Sequence, residues 1–173
     1  METDKEQNLE IIGSTEYVEI AGIKNIPAKI DTGADSSAIW ASHIDMKEDG
    51  TLEYVLFNEN LPYYSGEVIR TNDYRVKLVR SSHGDHQIRY RVKLPIKIGD
   101  KTFETTFTLA DRSRNNFPVL IGRRTLNGSF LVDVSRSAVK RSSGSKTARL
   151  NTELEKDPYG FHQKYIEKGE LWS

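Results

Sequence analysis

Polar and apolar residues alternate along Glu16-Tyr17-Val18-Glu19-Ile20 and again along Arg89-Tyr90-Arg91-Val92-Lys93-Leu94. A side-chain period of two puts successive residues on opposite faces of an extended chain, so both stretches predict half-buried strands. Further strands are predicted over Ile26 to Ile30, Leu52 to Phe57, Tyr74 to Val79, Ile96 to Ile98, Phe103 to Leu109, Val119 to Ile121 and Phe130 to Val134. Turn chemistry separates them. Lys47-Glu48-Asp49-Gly50, Ile98-Gly99-Asp100-Lys101 and Asn127-Gly128 supply glycine or asparagine, which tolerate positive φ. Short strands joined this way, with little helical periodicity between them, predict an all-β fold, an antiparallel barrel or sandwich.

After Val134 the pattern stops. Arg136 to Lys146 is polar and basic and has little to bury, so the domain is expected to end there. The predicted organisation is a polar N-terminal segment over residues 1–10, one β domain over 11–136 and a polar C-terminal extension over 137–173. In the extension, Tyr159, Phe161, Tyr165, Ile166, Leu171 and Trp172 are interleaved with charge, which suits a docking helix and a loose chain equally.

A length of 173 residues leaves room for one domain with a real core, and a two-lobed enzyme would be cramped. Lysine plus arginine balances aspartate plus glutamate, 25 against 25, so no long-range field favours nucleic acid or an anionic membrane. The lack of cysteine excludes disulfides and thiolate-bound zinc. Met1-Glu2-Thr3-Asp4-Lys5-Glu6 lacks the basic-then-apolar character of a secretory signal, and no apolar run approaches membrane length. A cytoplasmic protein with neither nucleic acid nor membrane as partner is expected.

The strand Ile26-Pro27-Ala28-Lys29-Ile30 runs directly into Asp31-Thr32-Gly33-Ala34, which places a carboxylate where an extended segment breaks into a small-residue turn. Gly33 would allow close backbone approach to a substrate, and the Thr32 hydroxyl can hydrogen-bond across a shared site. Alone, such a tripeptide is more simply a turn. One aspartate activates water poorly, whereas two carboxylates about 3 Å apart cannot both ionise and hold one proton between them. The chain has a single Asp-Thr-Gly and no internal repeat, so a dyad calls for a homodimer. Asp111 and Asp133 precede no Ser/Thr-Gly turn and are expected to be structural.

Ile30-Asp31-Thr32-Gly33-Ala34-Asp35-Ser36-Ser37 resembles the active-site turn of retropepsins. Phe117-Pro118-Val119-Leu120-Ile121-Gly122-Arg123-Arg124-Thr125-Leu126 is similar to the apolar-apolar-Gly-Arg segment that packs a short helix beneath that turn. Ile12-Gly13, Glu16-Tyr17-Val18, Ala28-Lys29-Ile30, Leu109-Ala110-Asp111-Arg112-Ser113 and Leu131-Val132-Asp133-Val134-Ser135 extend the likeness over roughly residues 11 to 136. Together they resemble a bacterial retropepsin-like family often labelled "ATP-dependent zinc protease". The resemblance implies a closed acid-protease barrel with a flap hairpin and one short helix after the Gly-Arg motif. It makes Asp31 the catalytic carboxylate, Thr32, Gly33 and Ala34 its turn, and Asp35, Gly122 and Arg123 structural support, with Arg123 paired to Asp35.

Tyr74 to Val79 and His86 to Arg91 form a hairpin where retropepsins carry the flap, with Ser81, Ser82, His83, Gly84 and Asp85 at its tip. Arg75, Lys77, Arg80, Arg89 and Arg91 make it basic, which would favour an acidic peptide or protein substrate, although alternating charge also describes a solvated strand face. The family label finds no support in motifs. No His-Glu-x-x-His is present, His83-x-x-His86 lies in a turn, and no Gly-x-x-x-x-Gly-Lys-Ser/Thr loop exists, so neither metal nor cofactor is expected. The family's association with ATP-grasp ligases that add glutamate to proteins implies such a ligase as partner, or a substrate with glutamate tails.

The leading expectation is therefore a homodimeric aspartic endopeptidase. The alternative is a non-catalytic peptide-binding or regulatory module of the same fold, partnering an ATP-grasp glutamate ligase. Metal-dependent hydrolysis would require His83, His86 and a distant carboxylate to converge.

Overall fold

The computed structural model describes residues 8–80, 84–140 and 146–169. Contacts divide the chain into two units, Met1–Val139 and Lys140–Ser173.

The first unit holds strands β1 (Glu10–Gly13), β2 (Thr15–Ile20), β3 (Ile23–Ile30), β4 (Ser37–Met46), β5 (Leu52–Leu56), β6 (Val68–Thr71), β7 (Tyr74–Arg80), β8 (His86–Ile98), β9 (Lys101–Ala110), β10 (Val119–Ile121) and β11 (Phe130–Asp133). Helix α1 (Arg123–Leu126) lies between the last two strands. Six strands close into a barrel in the order β10-β3-β2-β8-β9-β4, because β10 also pairs β4. Strands β5 and β6 extend from β4, and β7 pairs with β8 off this path. The fold is mostly β and retropepsin-like, as the sequence predicts.

The inward positions follow the alternation. Val92, Leu94, Ile96 and Ile98 of β8 are buried, while Lys93, Pro95 and Lys97 between them are exposed. They meet Val18 and Ile20 of β2, Ile26, Ala28 and Ile30 of β3, Ile39 of β4, Phe107 and Leu109 of β9, and Val119 and Ile121 of β10 in one core. Full burial of each large aliphatic or aromatic side chain contributes about 1.5–3 kcal/mol.

Three features depart from the sequence-based expectation. The barrel is mixed rather than antiparallel, since β3–β10 and β4–β9 are parallel, as is the separate β1–β11 pair. Closure forces this, because strands remote in sequence must pair to satisfy their backbone groups. Strand β8 runs unbroken through Pro95, whose carbonyl accepts the Ala21 N–H at 3.0 Å, so the two predicted strands are one. Strands β1, β4 and β6 lie outside the stretches whose pattern predicts strands. Ser37 and Ala41, two of the buried residues of β4, are too small or polar to signal a core face, and its ladder with β5 shifts register between Ser42 and Asp45.

Beyond β11, Arg136 to Val139 remain tied to the start of β2. Arg136 O accepts the Ser14 N–H at 2.8 Å, and Thr15 O accepts the Ala138 N–H at 3.1 Å.

The second unit contains α2 (Lys146–Lys156), α3 (Pro158–Phe161) and a π-helical turn over His162–Glu167. Asp157 caps α3 by accepting the Gly160 N–H at 3.0 Å. Glu153 accepts bonds from Lys164 Nζ at 2.9 Å and the Tyr165 hydroxyl at 2.7 Å. None of its described residues is buried. Among the described residues no helix is long and apolar enough to cross a membrane.

Candidate active site

Strand β3 ends where its parallel ladder with β10 ends. The Asp31 N–H donates to Ile121 O at 2.9 Å, so the carboxylate is carried by the last residue gripped by the ladder. Beyond it the chain turns tightly, with the Ala34 N–H donating to Asp31 O at 3.2 Å. Asp31 Oδ1 accepts the Gly33 N–H at 3.1 Å, and Oδ2 lies 3.6 Å from Lys29 Nζ. The Asp31 side chain keeps 28% of its surface exposed, and Thr32 and Gly33 are exposed beside it. A Cβ at position 33 would stand 3.3 Å from Asp31 Oδ1, so glycine leaves that oxygen uncrowded.

The turn rests on the segment after β10. A Cβ on Gly122 would lie 2.6 Å from the Ser36 carbonyl carbon and 2.9 Å from Ala34 O, a fit open only to glycine. This contact lets the Arg123 N–H donate to Ala34 O at 2.8 Å and the Arg124 N–H to Asp35 O at 3.2 Å, so the first amides of α1 bind the turn rather than water. Behind them is a chain of hydroxyls, buried at Ser37 and Thr125 and half-buried at Thr105. Ser37 Oγ accepts the Gly122 N–H at 3.1 Å and bonds Thr125 Oγ1 at 2.6 Å, which in turn bonds Thr105 Oγ1 of β9 at 2.9 Å.

Asp35 pairs with both arginines, but Arg124 is the nearer at 3.0 Å and Arg123 stands at 3.6 Å. All three side chains are at least half exposed, and such pairs contribute about 0–1 kcal/mol. Gly122 and the buried hydroxyls therefore dominate the bracing. Ser37, Thr105, Thr125 and Arg124 were not singled out in the sequence. A strand-borne serine or threonine has no distinctive neighbours along the chain, and only a partner remote in sequence gives it meaning.

Strands β7 and β8 form an antiparallel hairpin. Cross-strand partners share a face, so Arg75 with Arg91 and Lys77 with Arg89 make one side basic, while Val76 with Tyr90 and Leu78 with Ile88 make the other apolar. Lys77 Nζ donates to Ser36 Oγ at 2.6 Å, which turns the basic side toward the Asp31 turn. At the hairpin end Gly84 has φ +89° and Asp85 is exposed, whereas Ser81, Ser82 and His83 fall outside the described residues.

Arg112, in the loop after β9, completes this basic surround, with its Nε donating to Phe117 O at 2.9 Å. Burial first and the nearby Arg89 second hold Arg112 below the usual guanidinium range, opposed by the Asp31 carboxylate. Asp111 accepts the Ser113 N–H at 2.9 Å, and its bonds to Ser113, then Arg114 and Arg89, hold it below the usual carboxylate range. Asp133 likewise accepts from the Ser135 N–H and hydroxyl, at 3.0 and 2.6 Å. Both are turn-forming carboxylates.

Beside Thr32 a hollow of about 760 Å³ is walled by Thr32, Arg123, Leu126, Phe130 and Leu131. Its rim continues onto the β1–β11 pair, where Ile11 and Leu131 stand opposite each other, each 53% exposed. Among the described residues no three His, Cys, Asp or Glu side chains gather where they could hold a metal ion.

A RimB-like family model, described as retropepsin-like aspartic endopeptidase RimB, matches residues 11–143. A protein of Shewanella pealeana named "Probable alpha-L-glutamate ligase" is 30% identical over 154 residues, covering 80% of this chain and 33% of that protein. A protein of the same name from Desulfotalea psychrophila is 28% identical over 128 residues, covering 71% of this chain and 28% of that one. The chain thus spans about a third of the length of these curated relatives. A crystal structure of Lpg0085 from Legionella pneumophila, described as a protein of unknown function (DUF785), is 26% identical with a TM-score of 0.58, covering 74% of this chain and 95% of that one.

Proposed function

Since the chain belongs to the RimB-like family of retropepsin-like aspartic endopeptidases, we propose that it hydrolyses peptide bonds with a dyad of Asp31 carboxylates, one from each of two copies. The observation that carries this reading is the setting of Asp31. Its backbone is fixed by Ile121, one oxygen is oriented by Gly33, and the carboxylate stays open to solvent on a turn that Gly122 and buried hydroxyls hold rigid.

The chemistry follows from pairing. Two carboxylates about 3 Å apart share one proton. The ionised member takes a proton from water as the water oxygen bonds to the scissile carbonyl carbon, and the protonated member gives its proton to the carbonyl oxygen. The tetrahedral diol then collapses. The C–N bond breaks, the departing nitrogen gains the proton held by the first carboxylate, and a diol proton returns to the second. Activity needs the singly protonated pair, so it falls at low pH when both carboxylates are neutral and at high pH when both are charged.

The apolar patch of Ile11 and Leu131 beside the hollow at Thr32 suits a second copy brought up to the turn. The basic side of the hairpin, held over the turn by Lys77, suits an acidic peptide or protein, including one with glutamate tails. Thr32, Gly33 and Ala34 form the substrate-side turn, Asp35, Gly122 and Arg123 support it, and the hairpin through Gly84 and Asp85 acts as the flap.

A second reading rests on the relatives named as ligases, in which the matching stretch is about a third of the protein. In it the barrel is a peptide-holding module that works in the cytoplasm beside an ATP-grasp glutamate ligase, and Asp31 is dispensable. The purified full chain and its Asp31→Asn variant, incubated with a diverse peptide mixture over roughly pH 3 to 8, separate the two. Cleavage by the wild type and at least about a thousandfold loss in Asp31→Asn, read by mass spectrometry, is expected. Equal cleavage by both would overturn the dyad, as would cleavage by a chain that sediments as a monomer with substrate bound.

A further inference from the structure

We infer that Arg91 and Thr108 form a carboxylate-binding subsite for an acidic side chain of the peptide, set beside the Asp31 turn; the inference rests on the peptide-binding groove proposed above.

Arg91 of β8 and Thr108 of β9 stand directly opposite each other in the ladder, so their side chains share a face. Arg91 Nε and Thr108 Oγ1 are both buried and have no hydrogen-bond partner among the described residues. Thr108 as a whole is only 5% exposed. Leaving a guanidinium N–H and a neighbouring hydroxyl unbonded in an interior costs free energy, and the great majority of such groups find a partner. A group that satisfies both at once is an acceptor with more than one lone pair, and the guanidinium charge favours one that is negative. An ionised carboxylate meets that description, whereas the amide of glutamine would bring its own donors.

The surroundings favour the same ligand. On the third strand of this face, Thr108 pairs with Ala38, whose side chain is a single methyl group, two residues beyond Ser36 of the turn. Lys77 and Arg89 pair across the hairpin on the same side as Arg91, and Lys77 reaches Ser36 Oγ. Arg112, in the loop after β9, feels the charges of both Arg89 and Asp31. Arg75 stands opposite Arg91 in the hairpin, and against these five cations stand the carboxylates of Asp31 and Asp111. The surplus positive charge lies along the path that an extended peptide crossing the turn would take. The two unbonded groups mark where along that path one acidic side chain is read.

The test uses the full chain carrying Asp31→Asn, so that a bound peptide is not consumed, with N-acetylated, C-amidated tetraglutamate and tetraglutamine as probes. Binding is measured by calorimetry, and the arginine Nε–Hε signals are followed by NMR. Tetraglutamate is expected to bind and to move the Arg91 Nε–Hε signal, while tetraglutamine binds at least about tenfold more weakly. Arg91→Lys, which keeps the charge and loses the fork, should weaken tetraglutamate about tenfold. Thr108→Val, of matching shape, should weaken it about threefold while leaving the melting temperature equal or higher, because an unbonded buried hydroxyl is removed. Lys97→Gln, on the exposed side of β8 far along the strand, should change affinity less than about twofold.

Equal affinity for the two probes, or an affinity that neither Arg91→Lys nor Thr108→Val alters, would overturn the subsite, and an Arg91 signal unmoved by tetraglutamate would do the same. Failure of the peptidase reading looks different. Arg91-dependent binding without any cleavage by wild type retains the subsite and removes the dyad, whereas cleavage of glutamate peptides indifferent to Arg91→Lys does the reverse.

Discussion

Ser37, behind the Asp31 turn, is 1% exposed, whereas Leu78 in the β7–β8 hairpin is 62% exposed. The turn is held by backbone amides, a glycine with no room for a methyl group, and hydroxyls bonded in series from Ser37 through Thr125 to Thr105. Among the described residues, the hairpin's side chains bond the rest of the domain at its base, where the Tyr74 hydroxyl donates to Gly50 O at 2.8 Å, and at its middle, Lys77 on Ser36. Tyr90 packs against the core and Arg91 is half-buried, while Arg75, Val76, Leu78 and Ile88 face solvent, basic on one face and apolar on the other. One region thus spends its residues on position and the other on what it displays. Substitutions in the first should act through stability, and in the second through binding.

The largest effect should come from Gly122→Ala. The added methyl meets the Ser36 carbonyl carbon at 2.6 Å and forces the turn away from α1, which should cost about 3 kcal/mol in denaturant unfolding and remove any Asp31-dependent cleavage. A loss below about 1 kcal/mol would show that the turn yields, and the contrast with the hairpin would dissolve.

The core offers a pH test of comparable size. Burial pushes the Tyr54 hydroxyl up to about 12. In the unfolded chain it ionises near ~10, so above that pH the unfolded state releases a proton that the folded state keeps. Stability should be level up to about pH 10 and then fall by as much as about 3 kcal/mol by about pH 12. Phenolate absorbance at about pH 11 should show Tyr54 still protonated in the folded protein and ionised after unfolding. Full ionisation of all eight tyrosines in the folded protein near pH 10 would contradict it.

Thr125→Val comes next. It takes a partner from both Ser37 and Thr105 while preserving shape, and should cost about 2 kcal/mol. Its thermal unfolding, set beside that of Ser37→Ala, measures how far the hydroxyl chain acts as a unit. The smallest effects belong to the surface. Asp35→Asn breaks two exposed ion pairs and should cost less than about 1 kcal/mol. Val76→Ser, Leu78→Ser and Ile88→Ser should each shift stability by no more than about 0.5 kcal/mol. A marked loss from any of the three would mean that the apolar face of the hairpin is covered.

Several parts of this architecture were legible along the chain. The alternation in β2, β7 and β8 and the turns at Gly50 and Gly99 depend on neighbouring residues alone, and they led to the strands. Gly122 stood out through its resemblance to a known segment, and the structure supplies its cause in the contact with Ser36. Strand β4 was less legible because it buries Ser37 and Ala41 where a core face would ordinarily show larger apolar groups. The motif points to Arg123 rather than Arg124, since which of two adjacent arginines lies nearer to Asp35 depends on how α1 sets down on the turn.

Local chemistry in the sequence determined that the chain would be built of strands, where Asp31 breaks out of one, and that one side of the hairpin would be basic. A side-chain period of two and the special backbone freedom of glycine act over a few residues and need no distant partner. Only the tertiary structure decided that β10 closes the barrel against β3 and β4, that Ser37 would find Thr125, and that the basic side would turn toward Ser36. These pairings join residues far apart in the chain. They are selected by burying the core and satisfying backbone and hydroxyl groups together, a condition that no single stretch of sequence contains.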